Sequence, residues 1–316
     1  MKIISFLSKT LYLPEHEVTA FINTAPYRYK EYSIPKRNGT GTRQIAQPSS
    51  EVKVLQTLAI EKIKNNLPIH SSAMAYREGL SIKDNASMHA KNKFLLKMDF
   101  ENFFHSLLPH DLLLHTEKYY SSISEEDKKT LSKLFFWATK RDRKLKLSIG
   151  APSSPFISNT LLYDFDEAVS NVCRPLDITY TRYADDLTFT TNTNKILFEI
   201  PDLIQKICET LTYPKLKINK GKTVFSSKKH NRHITGITIT NEATLSLGRH
   251  RKRHIRSLVH QHMLGKLSSK QITELKGLLA FSKHIELTFY KTLVNKYGFK
   301  TLLDIQATQT KNSDTP

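Results

Sequence analysis

Asp185 and Asp186 stand side by side in TRYADDLTFT, and neither has a basic residue next to it. Adjacent like charges repel, so the pair needs either solvent or a cation. Aspartate is a favoured turn residue, and an isolated pair is ordinarily a hydrated turn. Here the flanks are DITYTRY, with Ile178, Tyr180 and Arg182 on one side, and LTFTT, both alternating as strands do. They read as a hairpin with ADD at its tip. Neighbours on a flat strand point to opposite faces, whereas at a tight turn both side chains can lean toward one site. A buried acidic tip calls for a cation, and hard carboxylate oxygens select Mg²⁺.

A metal site needs a further ligand, and LLKMDFENFF supplies Asp99. The run KFLLKMDF has the length of a strand buried on both faces, and an unpaired carboxylate at its end would be costly. Alone, the segment reads as a strand end with an N-cap aspartate. Together with YADD it reads as half of a shared metal site. Two Mg²⁺ ions held by these carboxylates could clamp the attacking and leaving oxygens of a phosphoryl transfer. Phe103 and Phe104 follow, one suited to the core and the other to the floor of such a site.

The elements that must position these groups alternate along a chain of 316 residues, long enough to bury a sizeable core. Val52, Leu55, Ala59 and Ile63 share one helical face, with Ser50 as the expected cap. Ser124 to Asp127 has the pattern of a capping box ahead of another helix. A third helix has Ser154 as cap, Pro155 at its first position and a stripe of Ile157, Leu161, Phe165, Ala168 and Val172. A further helix spans Asp202 to Leu211. Short strands are expected around KLKIN, KTVFS, HITGITI and TLSLG, and basic helices after Gly248. The mixture predicts an α+β fold, helices packed on an antiparallel sheet.

Lys and Arg number 48 against 29 Asp and Glu, a formal net charge of +19. That excess points to a polyanion, nucleic acid before membrane surface. The longest apolar runs are too short to span a bilayer, and MKIISFLSKT breaks off before a signal-peptide core forms. Cys173 and Cys208 lack metal-ligand spacing and read as buried thiols in a reducing cytoplasm. In LKINKGKTVF the GKT suggests a phosphate loop, but Leu216 stands where that motif needs glycine.

YADD, with MDFENFF and GAPSSPFISN, resembles the motif set of reverse transcriptases, and more narrowly of the bacterial retron-type enzymes. NASMH, Asn85 to His89, is similar to that family's element between fingers and palm. ITG, Ile234 to Gly236, is similar to its Val-Thr-Gly element. The resemblance spans about residues 25 to 300. It implies a right-hand polymerase fold in which Asp99 and Asp185 hold two Mg²⁺ ions and Asp186 completes the acidic cluster. Phe104 would sit under the sugar of the incoming deoxynucleoside triphosphate and exclude a 2′-hydroxyl. Lys36 and Arg43 bracket a Gly-rich turn similar to the fingers hairpin, with Arg43 on the triphosphate. Gly150 would approach the ribose or template base. Ile149 departs from the family, which commonly has glutamine there. Lys222 resembles the lysine near the pyrophosphate, or is a surface lysine.

The resemblance further implies Asn85, His89, Thr235 and Gly236 at the RNA or DNA. Two basic stretches are candidates for the same role. Arg141 and Arg143 lie in KRDRKLK, and Arg249, Arg251, Lys252, Arg253 and Arg256 in RHRKRHIR. In the second, Ile255, Leu258, Val259 and Met263 form the expected packed stripe. A solvated face is the plainer reading of any such run, but this one lacks an acidic counterweight. The expected division is 1–90 N-terminal helices and fingers, 91–115 first part of the palm, and 116–150 a helical insertion. Residues 151–240 would carry the catalytic hairpin, 241–305 a basic thumb, and 306–316 a flexible tail. Retron enzymes copy a dedicated structured noncoding RNA from one of its 2′-hydroxyls. The product is branched multicopy single-stranded DNA, an RNA–DNA species, and such systems commonly serve in phage defence with an effector protein. An intron-derived or diversity-generating reverse transcriptase, or a catalytically silent RNA-binding scaffold, would share much of this pattern.

Overall fold

A computed structural model describes residues 1–36 and 41–308. The tip of the expected Gly-rich turn (37–40) and most of the expected tail (309–316) lie outside the described residues. Helices α1 (Ile3–Leu11) and α2 (Glu15–Thr24) precede a hairpin of β1 (Tyr29–Pro35) and β2 (Thr42–Pro48). Then come α3 (Ser50–Ile63), α4 (Ile82–Met88), β3 (Phe94–Asp99), the one-turn α5 (Phe103–Ser106), α6 (Pro109–Tyr119) and α7 (Glu125–Phe135). A small ribbon of β4 (Phe136–Trp137) and β5 (Lys146–Leu147) leads to α8 (Ser154–Leu161) and α9 (Tyr163–Cys173). Next are β6 (Thr179–Tyr183), β7 (Asp186–Thr191), α10 (Ile200–Thr210) and β8 (Val224–Ser227). The described chain closes with β9 (Arg232–Ile234), β10 (Ile237–Ile239), β11 (Leu245–Ser246), α11 (Arg249–Met263), α12 (Ser269–Ile285), α13 (Leu287–Tyr297) and α14 (Phe299–Ala307).

Packing divides the chain into two units. One joins Met1–Leu80 to Phe94–Phe225, and the other joins Ser81–Lys93 to the chain from Ser226 onward. The first unit is built on strands β6, β7 and β3, paired in that order. Strand β3 has Leu95, Leu96 and Met98 all buried, as expected for a strand covered on both faces. It pairs antiparallel with β7 from Phe94↔Thr191 to Asp99↔Asp186. Ile157, Leu161, Phe165, Val169 and Cys173 line the core from α8 and α9.

Several local expectations change in this unit. The helix expected from Ser154 onward breaks at Leu162 (φ −91°, ψ 10°). Its buried stripe therefore moves from Ala168 and Val172 to Val169 and Cys173, and Ser153, not Ser154, precedes the first turn. Ser49, one residue before Ser50, caps α3 by accepting from the Val52 N–H. KLKIN makes one isolated bridge, Ile218 to Phe100, instead of a strand. Its backbone is spent on the end of β3, where Glu101 N–H donates to Lys217 O and Asn219 N–H to Asp99 O. Ser124 does cap α7, but Asp127 turns its carboxylate to the backbone N–H groups of Lys2 and Ile3.

The second unit contains the sheet β11-β10-β9, with α4 and the four C-terminal helices. In α11, Ile255, Leu258 and Val259 are buried as the spacing predicts. Met263 is not: it is the last residue of the helix and is 55% exposed, past the packed face. Both cysteines are buried and unpaired, and burial pushes each thiol up to about 12. Among the described residues no helix is long and apolar enough to cross a membrane.

Candidate active site

The ladder that joins β6 to β7 closes at Tyr183↔Asp186, so Ala184 and Asp185 alone make the turn. Ala184 takes φ +57°, a left-handed conformation that a two-residue hairpin demands and alanine adopts reluctantly. What holds it there is Arg182, fully buried two residues back along the strand. Its Nη1 donates to the Ala184 carbonyl at 3.1 Å and to Asn159 Oδ1 at 3.2 Å. Its Nε and Nη2 grip the Asp166 carboxylate at 2.9 and 2.6 Å. Tyr180 Oη donates to the same carboxylate at 2.7 Å. The hairpin is thus bolted to α8 and α9 through a fully enclosed ion pair.

Register then brings the three aspartates together. Asp99 lies directly across the ladder from Asp186, and Phe100 N–H donates to Asp185 O. The carboxyl of Asp185 is raised above its ordinary range by loss of hydration and by the Asp99 charge; Lys222 and Arg43 act in the opposite direction. Asp186 is pushed up to about 6 by loss of hydration and by repulsion from Asp185 and Asp99. Lys222 Nζ forms an ion pair with Asp99 Oδ1 at 2.8 Å. Among the described residues, no group of three or more His, Cys, Asp or Glu side chains is arranged to hold a metal ion as it stands. The donor set nevertheless suits a hard cation. It consists of carboxylate oxygens whose mutual repulsion a divalent ion relieves, and one of them already binds an ammonium.

Asp185 lines a cleft of about 910 Å³. Lys36, Arg43, Phe103, Phe104, Gly150 and Lys222 line it too, so all five of the expected nucleotide-binding residues share one cavity. Phe103 is 3% exposed and stacks on Phe100, while Phe104 keeps part of its ring accessible. Gly150 has φ +122°, and an added Cβ would come within 3.2 Å of Ala46 O and Ile45 Cγ2. Ala46 N–H also donates to Ile149 O at 3.0 Å. Glycine is favoured here by its backbone conformation, and the approach of β2 tightens the fit further.

Other expected residues lie elsewhere. Asn85 and His89 are 0% exposed, and burial lowers the imidazole to about 3, so it is neutral. Both side chains are thus enclosed within the protein. Thr235 and Gly236, at φ +46° and +83°, form the turn between β9 and β10. Arg141 and Arg143 are exposed between β4 and β5. Arg249, Arg253 and Arg256 are exposed on α11, but Lys252 is bound to Glu286 and Arg251 donates to Gly236 O at 3.1 Å. Sequence reasoning missed Tyr76, which lines the cleft at φ +61° with half its surface exposed, 6.5 Å from the Tyr183 ring. It also missed Asp166 and Asn159. An arginine facing inward on a strand between apolar neighbours signals that such partners exist.

Comparison with known proteins gives the family. A family model described as reverse transcriptase (RNA-dependent DNA polymerase) matches residues 34–239. The retron Ec83 reverse transcriptase of Escherichia coli is 45% identical over 280 residues, 88% of this chain and 89% of that protein. The retron Ec73 and Ec86 reverse transcriptases of the same organism are 33% and 30% identical, covering 86% and 92% of this chain and 88% and 89% of their own lengths. Among solved structures, apo telomerase from Candida tropicalis matches 89% of this chain at a TM-score of 0.51 and 13% identity. The match takes in 61% of that protein, and the likeness is one of fold.

Proposed function

Because this chain belongs to the retron reverse transcriptases, RNA-directed DNA polymerases with the right-hand fold, we propose that it copies a dedicated structured noncoding RNA into branched multicopy single-stranded DNA. The observation that carries the catalytic part is the register Asp99↔Asp186, with Asp185 at the turn beside the cleft. Reverse transcriptases work with divalent metal ions. In our reading two Mg²⁺ ions are held by Asp99 and Asp185, with Asp186 beside them. When bound, the ions supply charge neutralisation for the attacking oxygen and the departing pyrophosphate.

The chain's own residues supply the rest. Arg43 and Lys36 bring positive charge to the cleft for the triphosphate, Arg43 through a planar fork suited to phosphate oxygens. Phe104 offers its accessible ring edge under the deoxyribose, while the buried Phe103 holds it in place, the rings being 5.1 Å apart. Lys222 can donate a proton to pyrophosphate as it leaves. We assign 1–90 to N-terminal helices and fingers, 91–115 and 151–240 to the palm, 116–150 to an insertion and 241–305 to a basic thumb. The excess of 19 positive charges and the exposed arginines of α11 suit a long phosphate backbone. A 2′-hydroxyl of the RNA serves as primer. A role in phage defence with an effector protein is part of the same reading.

One experiment tests it. Nucleic acid copurified with the wild-type protein should be a branched RNA–DNA species, sensitive to a 2′,5′-debranching enzyme. Asp185→Asn should copurify with RNA alone. Linear DNA resistant to debranching overturns the priming assignment, and undiminished DNA from Asp185→Asn overturns the metal assignment.

A further inference from the structure

Lys222 lines the cleft and also pairs with Asp99. Its Nζ lies 2.8 Å from Asp99 Oδ1, and among the described ion pairs it is the one made by any of the three clustered aspartates. The partners are unequal: the Asp99 side chain is 9% exposed and that of Lys222 is 55% exposed, on the cleft. The lysine can leave for solvent, whereas the carboxylate cannot. Its backbone, however, is fixed to the same strand end. Asn219 N–H donates to the Asp99 carbonyl at 2.7 Å, and Lys222 N–H donates to Asn219 O at 3.0 Å. The lysine's backbone is thus tied to the strand end that carries Asp99, while its side chain is largely exposed.

Building on the metal assignment proposed above, we propose that Lys222 is a resident counter-ion of Asp99 that an incoming divalent cation must displace. An ammonium on Oδ1 and a cation on the same carboxylate repel each other, and a Mg²⁺ ion takes its oxygens at about 2.0–2.1 Å. They exclude one another. Displacement sends the ammonium into the cleft that Arg43 and Lys36 also line, where an anionic triphosphate would receive it. Without nucleotide the lysine holds metal affinity down. With nucleotide it has somewhere better to go. Metal and triphosphate then bind cooperatively, and by linkage each strengthens the other by the same factor.

The test is Mn²⁺ binding by the full chain, followed by the electron paramagnetic resonance of the free ion, without and with a non-hydrolysable deoxynucleoside triphosphate. Lys222→Met should bind Mn²⁺ about tenfold more tightly than wild type without nucleotide, from removal of one charge-assisted competitor. Its nucleotide-induced gain should also be smaller than that of wild type, the part that remains coming from the triphosphate's own oxygens. Lys97→Met is the control. Lys97 is a charge that acts on Asp186 without pairing to Asp99, and its loss should change affinity by no more than about threefold. Equal gains from both variants, or no gain from Lys222→Met, overturn the proposal. Asp99→Asn separates the two layers. If it retains full Mn²⁺ affinity the metal assignment itself fails; if it loses Mn²⁺ and Lys222→Met shows no gain, only the displacement fails.

Discussion

Arg182 and Asp166 offer a sharp separation of stability from catalysis. Arg182→Met strands a carboxylate that is 0% exposed and removes its three guanidinium bonds. Breaking a buried pair from one side costs about 3–5 kcal/mol, a large share of a typical folding free energy of ~5–15 kcal/mol. At ~2–4 °C per kcal/mol for a unit of this size, the melting temperature should fall by about 10 °C. Arg182→Met combined with Asp166→Asn removes both charges and leaves Tyr180 an amide oxygen to donate to. Thermal stability should then return to within ~1–2 kcal/mol of wild type. DNA synthesis should not return with it, because the Ala184 carbonyl still lacks its Nη1 donor and the aspartate turn its brace. A displacement of ~1 Å in a positioning element can cost ~100-fold in rate, so a deficit of at least about tenfold is expected in primer extension. Calorimetry and single-turnover extension on the same preparations decide it. If the double variant recovers both stability and rate, the network only stabilises the fold, and the positioning argument is wrong.

Phe104→Ala should open the floor of the cleft and raise ribonucleotide incorporation by about tenfold or more, read from competition between the two nucleotide types; no change moves the gate to another residue. Neutralising Arg249, Arg253 and Arg256 together should weaken RNA binding and lower the slope of log affinity against log salt by about 2–3, since each phosphate left unneutralised keeps its counterion. Lys252→Ala, by contrast, should reduce thermal stability, since Lys252 is held by Glu286, which also accepts from Leu247 N–H and Ser246 Oγ. An unchanged melting temperature would assign Lys252 to the nucleic acid instead.

Much of the scaffold was legible because period and burial agree. Strand β3, the hairpin and α7 follow from alternation, apolar runs and a serine cap, each a local rule. The break at Leu162 was not legible: no glycine or proline marks it, and the register of the buried stripe shifted with it. The three aspartates could be grouped by chemistry, but their meeting depends on the β3–β7 register, a long-range fact. Asn85 and His89 show the limit of a motif. Spacing says that a residue is held in place, not whether it faces inward. Tyr76 lay hidden for a different cause, a left-handed backbone that only the surrounding fold can impose. Lys222 was open between pyrophosphate and solvent, and its partner proved to be the acid 123 positions earlier.

The junction of Gly150 with β2 has a mechanical consequence. Ala46 is clamped to Ile149, while Arg43, three residues along the same strand, pairs with Ile34 and is exposed. The ribbon is thus a cantilever, fixed at its root beside the floor of the cavity and loaded at its far end by the guanidinium. Lengthening both arms by two residues would carry that charge outward by about 7 Å without turning a single side chain over, because strand geometry repeats every second residue. Adding one residue to each arm would invert the whole overhang.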